Sequence, residues 1–503
     1  MTDETNHLIA GVSAGLSTRR DAPFAHLPDG TIRSYGALFD NAAKISGALL
    51  AMGVQPGDRV AAQVSKSLTA IELYLGAVSA GAVFLPLNTA YTGSEIEYFL
   101  SDAEPRVFVT DPGFTDRLAK AAQLGVPEVL TLDASGAGTL SERAAASAPV
   151  PPVARGANDL AAILYTSGTT GRAKGAMLSH GNLRSNSETL AKAWAFTGDD
   201  VLIHALPIFH THGLFVATNV SLIAGASTVF LPGFDAEAIL DAMPRATALM
   251  GVPTFYTRLL QSERLAEASR GMRLFVSGSA PLLEETHRAW QEATGQAILE
   301  RYGMTETNMN ISNPYDGERR PGSVGQPLPG VTVRLAGPDG SPVAQGEPGV
   351  IEVHGPNVFQ GYWRMPEKTA EEFREDGFFI TGDIAVESAD GYISIVGRAK
   401  DMIISGGFNV YPKEVELLID AVPGVLESAV IGVPHADFGE GVVAIVVLEG
   451  AVDADAIAAA IAPGLARYKQ PKAFRFVDAL PRNAMGKVQK AELRKSHADI
   501  FAA

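Results

Sequence analysis

The sequence predicts an α/β protein: a large N-terminal domain of helix-covered, mostly parallel sheets carrying a small β-rich subdomain, followed by a small α+β C-terminal unit. Three observations carry the prediction. Between residues 36 and 110 stretches with helical apolar spacing alternate with short apolar runs of strand length, the signature of βα units. From about residue 330 that rhythm gives way to short alternating strands separated by Gly/Pro turns. After the charged, glycine-led segment Gly397-Arg-Ala-Lys-Asp401 the chain returns to a mixed pattern for about a hundred residues, enough for a separate domain.

Element by element, apolar spacing predicts a helix over 36–53, and Val60–Val64 follows as a buried strand after a Gly-Asp turn. A second helix over 70–80 leads to the strand 82–86, and a third over 93–102 leads to Val107–Thr110. Alternation resumes after the Ala/Pro-rich segment 144–157, a surface connection, with Leu160–Leu164 as the next strand. The β-rich part is predicted over about 330–398, with strands at 331–335, 349–354 and 391–396. Beyond it the pattern predicts a helix at 412–420, strands at 426–433 and 441–448, a helix at 453–463 and a strand at 473–477. The boundary therefore falls near Lys400, giving domains 1–398 and 399–503.

With 503 residues, 46% of them hydrophobic and 19% charged, the chain can bury a large core and is neither disordered nor fibrous. A formal net charge of −16 without a basic run argues against nucleic-acid or anionic-membrane partners, so an anionic substrate has to be captured by a local site. The absence of cysteine excludes disulfides, thiolate metal sites and cysteine nucleophiles, and the acidic start lacks a signal-peptide core, which favours the cytoplasm. The longest apolar stretch, 213–232, is broken by Thr218, Asn219, Ser221, Gly225, Ser227 and Thr228 and reads as buried core rather than a membrane span.

Directly after Leu160–Leu164 comes Tyr165-Thr-Ser-Gly-Thr-Thr-Gly-Arg-Ala-Lys-Gly175. Glycines let backbone N–H groups face an anion, hydroxyls add rotatable donors, and Lys174 adds charge, so the stretch reads as a phosphate-handling loop. The frame ending in Gly-Lys-Ser/Thr is absent, which excludes the commonest nucleotide loop. Downstream follow Val276-Ser-Gly-Ser-Ala-Pro281, Arg301-Tyr-Gly-Met-Thr-Glu306, Phe379-Ile-Thr-Gly-Asp383, Gly397-Arg-Ala-Lys-Asp401 and Pro481-Arg-Asn-Ala-Met-Gly-Lys-Val488. Taken singly, several of these read equally as turns or helix starts.

Together and in this order they resemble the adenylate-forming superfamily, which contains acyl-CoA synthetases, luciferases and the adenylation domains of peptide synthetases. The resemblance implies an ATP-dependent acid–thiol ligase: a carboxylate attacks the α-phosphorus of ATP, pyrophosphate leaves, and CoA then displaces AMP. Carried over, Thr166, Ser167, Gly168, Thr169, Thr170 and Lys174 hold the phosphates. Ser277, Gly278, Ser279, Ala280, Arg301, Tyr302 and Gly303 line the adenine site, and Asp383 and Arg398 hold the ribose. Thr305 contacts the α-phosphate and Glu306 binds Mg²⁺, which suits a single carboxylate because the ion keeps much of its hydration. Lys487 bridges the attacking carboxylate and the α-phosphate. Lys400 is the hinge about which the C-terminal domain rotates between half-reactions, so that the loop 405–412, with Gly406, Gly407 and Phe408, replaces Lys487 and meets CoA. The resemblance also implies that Lys487 is open to a lysine acetyltransferase and deacetylase.

The acid is read from departures. Arg301 stands where many relatives have glycine, and Arg258 lies in a segment where relatives place acyl-pocket residues, on the helical face of Thr254 and Phe255. Guanidinium groups in an acyl pocket are costly unless an anion meets them, which points to a second carboxylate on the substrate. Solvent-facing arginines, or arginines bound to structural carboxylates, are the alternative. With Leu206-Pro-Ile-Phe-His-Thr-His-Gly213, where His210 and His212 are candidate pocket residues, the combination is similar to the malonate-activating members of the family. That implies malonate, with methylmalonate or another short acid in competition and a non-catalytic nucleotide sensor as the reading from another class.

Overall fold

The computed structural model describes residues 6–166, 173–483 and 487–501, and the predicted phosphate-loop residues Ser167, Gly168, Thr169 and Thr170 lie outside them. Among the described residues the strands form four sheets. One has six strands in the order Glu128–Thr131, Val107–Thr110, Arg59–Gln63, Val83–Pro86, Leu160–Thr166, Lys174–Ser179, all parallel except the last pair. A second has nine strands, and its centre is a parallel run of Leu299–Met304, Leu274–Ser277, Ala248–Gly251 and Val201–His204. Val83–Pro86, Val107–Thr110, Ala248–Gly251 and Leu274–Ser277 are buried on both faces, which is why they appear in sequence as continuous apolar runs without alternation.

The predicted helices of the first half are present with shifted ends: Tyr35–Ala51, Leu68–Ser79 and Gly93–Ala103. Their starts are set by side chains. Ser34 and Ser67 cap the first two, and Thr92 with Glu95 forms a capping box at the third. The stretch 213–232 is core, as expected: a π-helix His212–Thr218 runs into the helix Asn219–Ala224 and the strand Ser227–Phe230, all but the end of the helix buried. Among the described residues no helix is long and apolar enough to cross a membrane.

The β-rich part is an antiparallel sheet of Thr332–Ala336, Gly349–His354, Phe379–Glu387 and Ile393–Arg398. Its third strand was legible only as a motif, because Thr381, Gly382 and Asp383 interrupt the apolar alternation. The last sheet pairs Val425–His435 with Gly439–Leu448 and adds Ile403–Ser405, Phe408–Val410 and Ala473–Phe476. The two long strands exceed the predicted 426–433 and 441–448, because pairing continues through the polar tip as far as His435 and Gly439. The expected loop 405–412 is instead largely a hairpin. Gly406 (φ +61°) and Gly407 (φ +82°) form its two-residue turn, a geometry that requires positive φ at both central positions.

Candidate active site

Four adjacent parallel strands of the nine-stranded sheet end side by side, and a crevice at the carboxyl ends of such strands is where ligands of α/β proteins bind. The segment after Val201–His204 carries His210 and His212, that after Leu274–Ser277 carries Gly278 and Ser279, that after Ala248–Gly251 carries Arg258, and Leu299–Met304 carries Arg301 and Tyr302. The antiparallel sheet adds Asp383 and Arg398 on paired strands, the six-stranded sheet adds Thr166 and Lys174, and the C-terminal domain adds Lys487.

Two polar constellations emerge. In one, the Tyr302 hydroxyl donates to Asp383 Oδ2 (2.6 Å) and Arg398 Nε meets Asp383 Oδ1 (2.8 Å), so the aspartate, 4% exposed, is held from both sides. Burial, and then the Asp383 charge, push the Tyr302 phenol far above its ordinary value, so it stays a donor. Gly303 is sterically compulsory, since a Cβ there would lie 1.9 Å from Asn308 O across the tight hairpin that carries Thr305 and Glu306.

In the other, Lys174 Nζ pairs with Glu372 Oε1 (2.8 Å) and lies 4.1 Å from the centroid of the Tyr362 ring. The Tyr362 hydroxyl is 3.0 Å from Glu306 Oε1 and 2.5 Å from Glu372 Oε2. Burial raises the Glu306 carboxyl above its ordinary range despite opposing hydrogen bonds and the Lys174 charge. Tyr362 and Glu372 were not singled out from sequence. The pattern Gly361-Tyr-Trp363 was available, but nothing in it marks the tyrosine as the bridge between two carboxylates 66 positions apart in sequence (Glu306 and Glu372).

Of the two arginines expected to meet the acid, Arg301 is buried and Arg258 is exposed. Arg301 is 4% exposed and packs flat against Gly278, where a Cβ would sit 2.3 Å from its guanidinium carbon. Its Nε and Nη2 have no hydrogen-bond partner among the described residues. Burial pulls its pKa down to about 9, so it remains a cation at neutral pH. Arg258 corrects the sequence reading. It does share a helical face with Thr254, but that face is solvent-exposed, while Phe255, Tyr256 and Leu259 form the buried side. Its guanidinium lies 5.4 Å from the centroid of the Phe234 ring at the surface.

His210 and His212 belong with Arg301. Burial, then the charges of Lys487 and Arg301, lower the His210 pKa to about 3; His212 falls well below its ordinary value through burial and then the Arg301 charge. Both rings are neutral at physiological pH. The His212 backbone N–H donates to His210 Nδ1 (3.3 Å), which leaves the His210 ring proton on Nε2.

Lys487 faces this crevice. It keeps solvent-accessible surface, yet its amine is enclosed well enough that burial, followed by Arg398, lowers its pKa against the opposing pull of Asp383 and Glu306. Those neighbours put it in one field with both constellations and with Arg301. Lys400 is exposed in the short turn Ala399–Asp401, next to an ion pair of Asp401 with Arg494 (2.9 Å). Phe408 is 57% exposed and stacks on Tyr468 with ring centroids 4.7 Å apart. Ser277 is buried, and Ser279 and Ala280 are half-buried at the crevice.

Comparison with known proteins agrees with this architecture. The AMP-binding enzyme family matches residues 14–363, and the AMP-binding enzyme C-terminal domain matches residues 414–487. ATP-bound MatB from Rhodopseudomonas palustris is 58% identical over 98% of this chain and 99% of that chain, with a TM-score of 0.96; the apo form of the same protein gives 0.86. Curated relatives include feruloyl-CoA synthase from an Amycolatopsis species, 38% identical over 93% of this chain and 94% of that protein. The mitochondrial malonate–CoA ligase of Mus musculus is 37% identical over 92% and 86%. The chain belongs to the AMP-binding enzyme family, with a large α/β domain followed by the small C-terminal domain of that family.

Proposed function

We propose that the protein joins malonate to CoA at the expense of ATP, through malonyl-AMP, with release of pyrophosphate and then AMP. The observation that carries the choice of acid is Arg301, a buried cation with no hydrogen-bond partner for Nε and Nη2 among the described residues. A desolvated, unpaired charge costs several kcal/mol, and a carboxylate accepting from it offsets that cost. The pocket therefore suits a short acid whose far end is a second carboxylate. The 58% identity to MatB over nearly the whole chain, and the malonate–CoA ligases among the curated relatives, support the same reading.

In this reading one malonate carboxylate is directed at the α-phosphorus by Lys487, whose ammonium offsets the approach of two anions, and the P–O bond to pyrophosphate breaks as the acyl-phosphate bond forms. Lys174 and Thr166 meet the departing phosphates. Lys174 already carries a carboxylate, Glu372, which a phosphate oxygen would join or replace. Tyr302 lies along adenine, and Asp383 accepts the ribose hydroxyls with Arg398 beside it. Glu306 would hold Mg²⁺ together with phosphate oxygens and water. A lone buried carboxylate raised by burial fits such an ion, which would supply charge neutralisation at the phosphates. In the second step the CoA sulfur attacks the acyl carbon and AMP leaves. Rotation about Lys400 would then exchange Lys487 for the hairpin of Gly406, Gly407 and Phe408, and acetylation of Lys487 would block the first step alone.

Pyrophosphate release measured against malonate, methylmalonate, acetate, propionate and succinate, with and without CoA, tests the proposal. Malonate should give the highest kcat/KM and malonyl-CoA as product. A monocarboxylate preferred over malonate would overturn it.

A further inference from the structure

We propose that His212 is a specificity-determining residue of this site, donating a hydrogen bond from Nε2 to the same distal carboxylate that Arg301 meets. The inference rests on the dicarboxylate reading above and deepens it by assigning a second donor and the groups that aim it.

His212 is 2% exposed, and its Nε2 has no hydrogen-bond partner among the described residues; Arg301 Nε and Nη2 share that condition. Buried polar atoms are nearly always paired, so unpartnered atoms on neighbouring side chains at the mouth of one crevice point to a shared acceptor that arrives with the substrate. The Arg301 charge is, after burial, the largest influence on the His212 ring, which places the two groups in one field. A carboxylate is the acceptor that both donors suit.

The ring is held by two devices. Ser279 Oγ lies 3.3 Å from His212 Nδ1, and Ser279 is one of the few non-glycine residues with positive φ, at +71°. Strained backbone of that kind persists where the surroundings demand it. With the Ser279 hydroxyl donating to Nδ1, the ring proton sits on Nε2, the tautomer the proposal needs. Gly278, the preceding residue, supports Arg301, so one short turn positions both donors.

The second device braces the segment that carries the ring. Lys66 Nζ donates to His204 O (2.7 Å) and lies 3.0 Å from His204 Nδ1, while His204 Nε2 is 3.0 Å from Gly213 O. A carbonyl only accepts, so His204 carries its proton on Nε2 and takes one from Lys66 at Nδ1. His204 thereby pins both ends of the segment that presents His210 and His212. The segment folds so tightly that a Cβ on Gly213 would meet Pro207 O at 2.0 Å. The π-helix beginning at His212 sets the ring at the head of a buried element.

The test compares wild type, His212→Asn and His212→Gln for kcat/KM with malonate and with propionate, and for KM with ATP. A glutamine amide reaches the position of imidazole Nε2; an asparagine amide does not. The Asn variant should lower the malonate-to-propionate ratio by about tenfold to a hundredfold with KM for ATP unchanged, and the Gln variant should recover most of that ratio. Equal losses on both acids, or Asn and Gln variants with the same ratio, would overturn the assignment. Should the Asn variant not fold, the Gln variant decides: retention of the wild-type preference supports the proposal, and its collapse refutes it. If wild type itself forms no malonyl-CoA, the failure is that of the proposed function instead.

Discussion

Replacing Arg301 by methionine separates a residue kept for its ligand from one kept for the fold, because the two roles predict opposite signs. The guanidinium is 4% exposed, and Nε and Nη2 lack partners among the described residues. In the ligand-free protein it is therefore a cost. Methionine fills much of the same apolar space, and exchanging a buried charged group for a well-packed apolar one stabilises by about 1–4 kcal/mol. With malonate bound the balance reverses. Losing one partner of a desolvated charge pair costs about 2–5 kcal/mol, of which 3 kcal/mol is roughly a hundredfold in kcat/KM. The expected result is a variant that melts at a higher temperature than wild type without ligand, binds ATP normally, and turns over malonate at least thirtyfold less well in a pyrophosphate-release assay. Propionate turnover should hold or rise. A lower melting temperature with unchanged malonate kcat/KM would show that Arg301 serves the fold, and the argument for a second substrate carboxylate would fall with it.

Two further outcomes follow from charges elsewhere. Glu72 is 3% exposed, 3.7 Å from Arg33 and bonded to Asn41, and burial raises its carboxyl to about 7. Its folded-state pKa lies above the unfolded value, so the neutral form is favoured: that stabilisation is complete below about pH 4.5 and lost as pH rises through 7. Glu72→Gln should be more stable than wild type at pH 8, by about 3 kcal/mol in chemical denaturation, with the difference vanishing near pH 4.5; a constant difference across that range would refute the linkage. Lys487→Ala should abolish acid-dependent pyrophosphate release by a factor of about a hundred or more while still converting supplied malonyl-AMP and CoA to the thioester. Equal loss of both half-reactions, followed by rapid quench, would deny Lys487 a role confined to adenylation.

The fold was legible where local physics decides it. Double-sided burial turns parallel strands into apolar runs, and a buried helix face imposes apolar spacing, so the βα rhythm could be read with errors of a few residues at the ends. It was least legible where pairing with a distant strand sets the structure. The strand Phe379–Glu387 runs through a Thr-Gly-Asp motif that reads locally as a turn, and the segment around Gly406 and Gly407, expected as a loop that meets CoA, is a hairpin whose glycines serve the turn itself. The site shows the same division. Asp383, Tyr302 and Arg398 were named from motifs, and the structure brings Tyr302 and Arg398 onto the two oxygens of the Asp383 carboxylate. Tyr362 and Glu372 carried no signal, since their contacts with Glu306 and Lys174 depend on segments far apart in sequence.

By itself, then, the sequence determined the α/β class, the order of the motifs and the presence of two arginines where an acyl pocket was expected. It could not rank them. A helix seven residues long presents both a buried and an exposed face, and periodicity put Arg258 with Thr254 without saying which face that was. Tertiary packing decided: Phe255, Tyr256 and Leu259 turn inward against the sheet and leave Arg258 on Phe234 at the surface. Arg301, on a central strand beside a glycine that leaves room for it, is buried with unpartnered nitrogens. The physical reason is that burial and pairing are properties of the assembled neighbourhood: whether a cation rests in water or waits for an anion depends on which other segments fold around it.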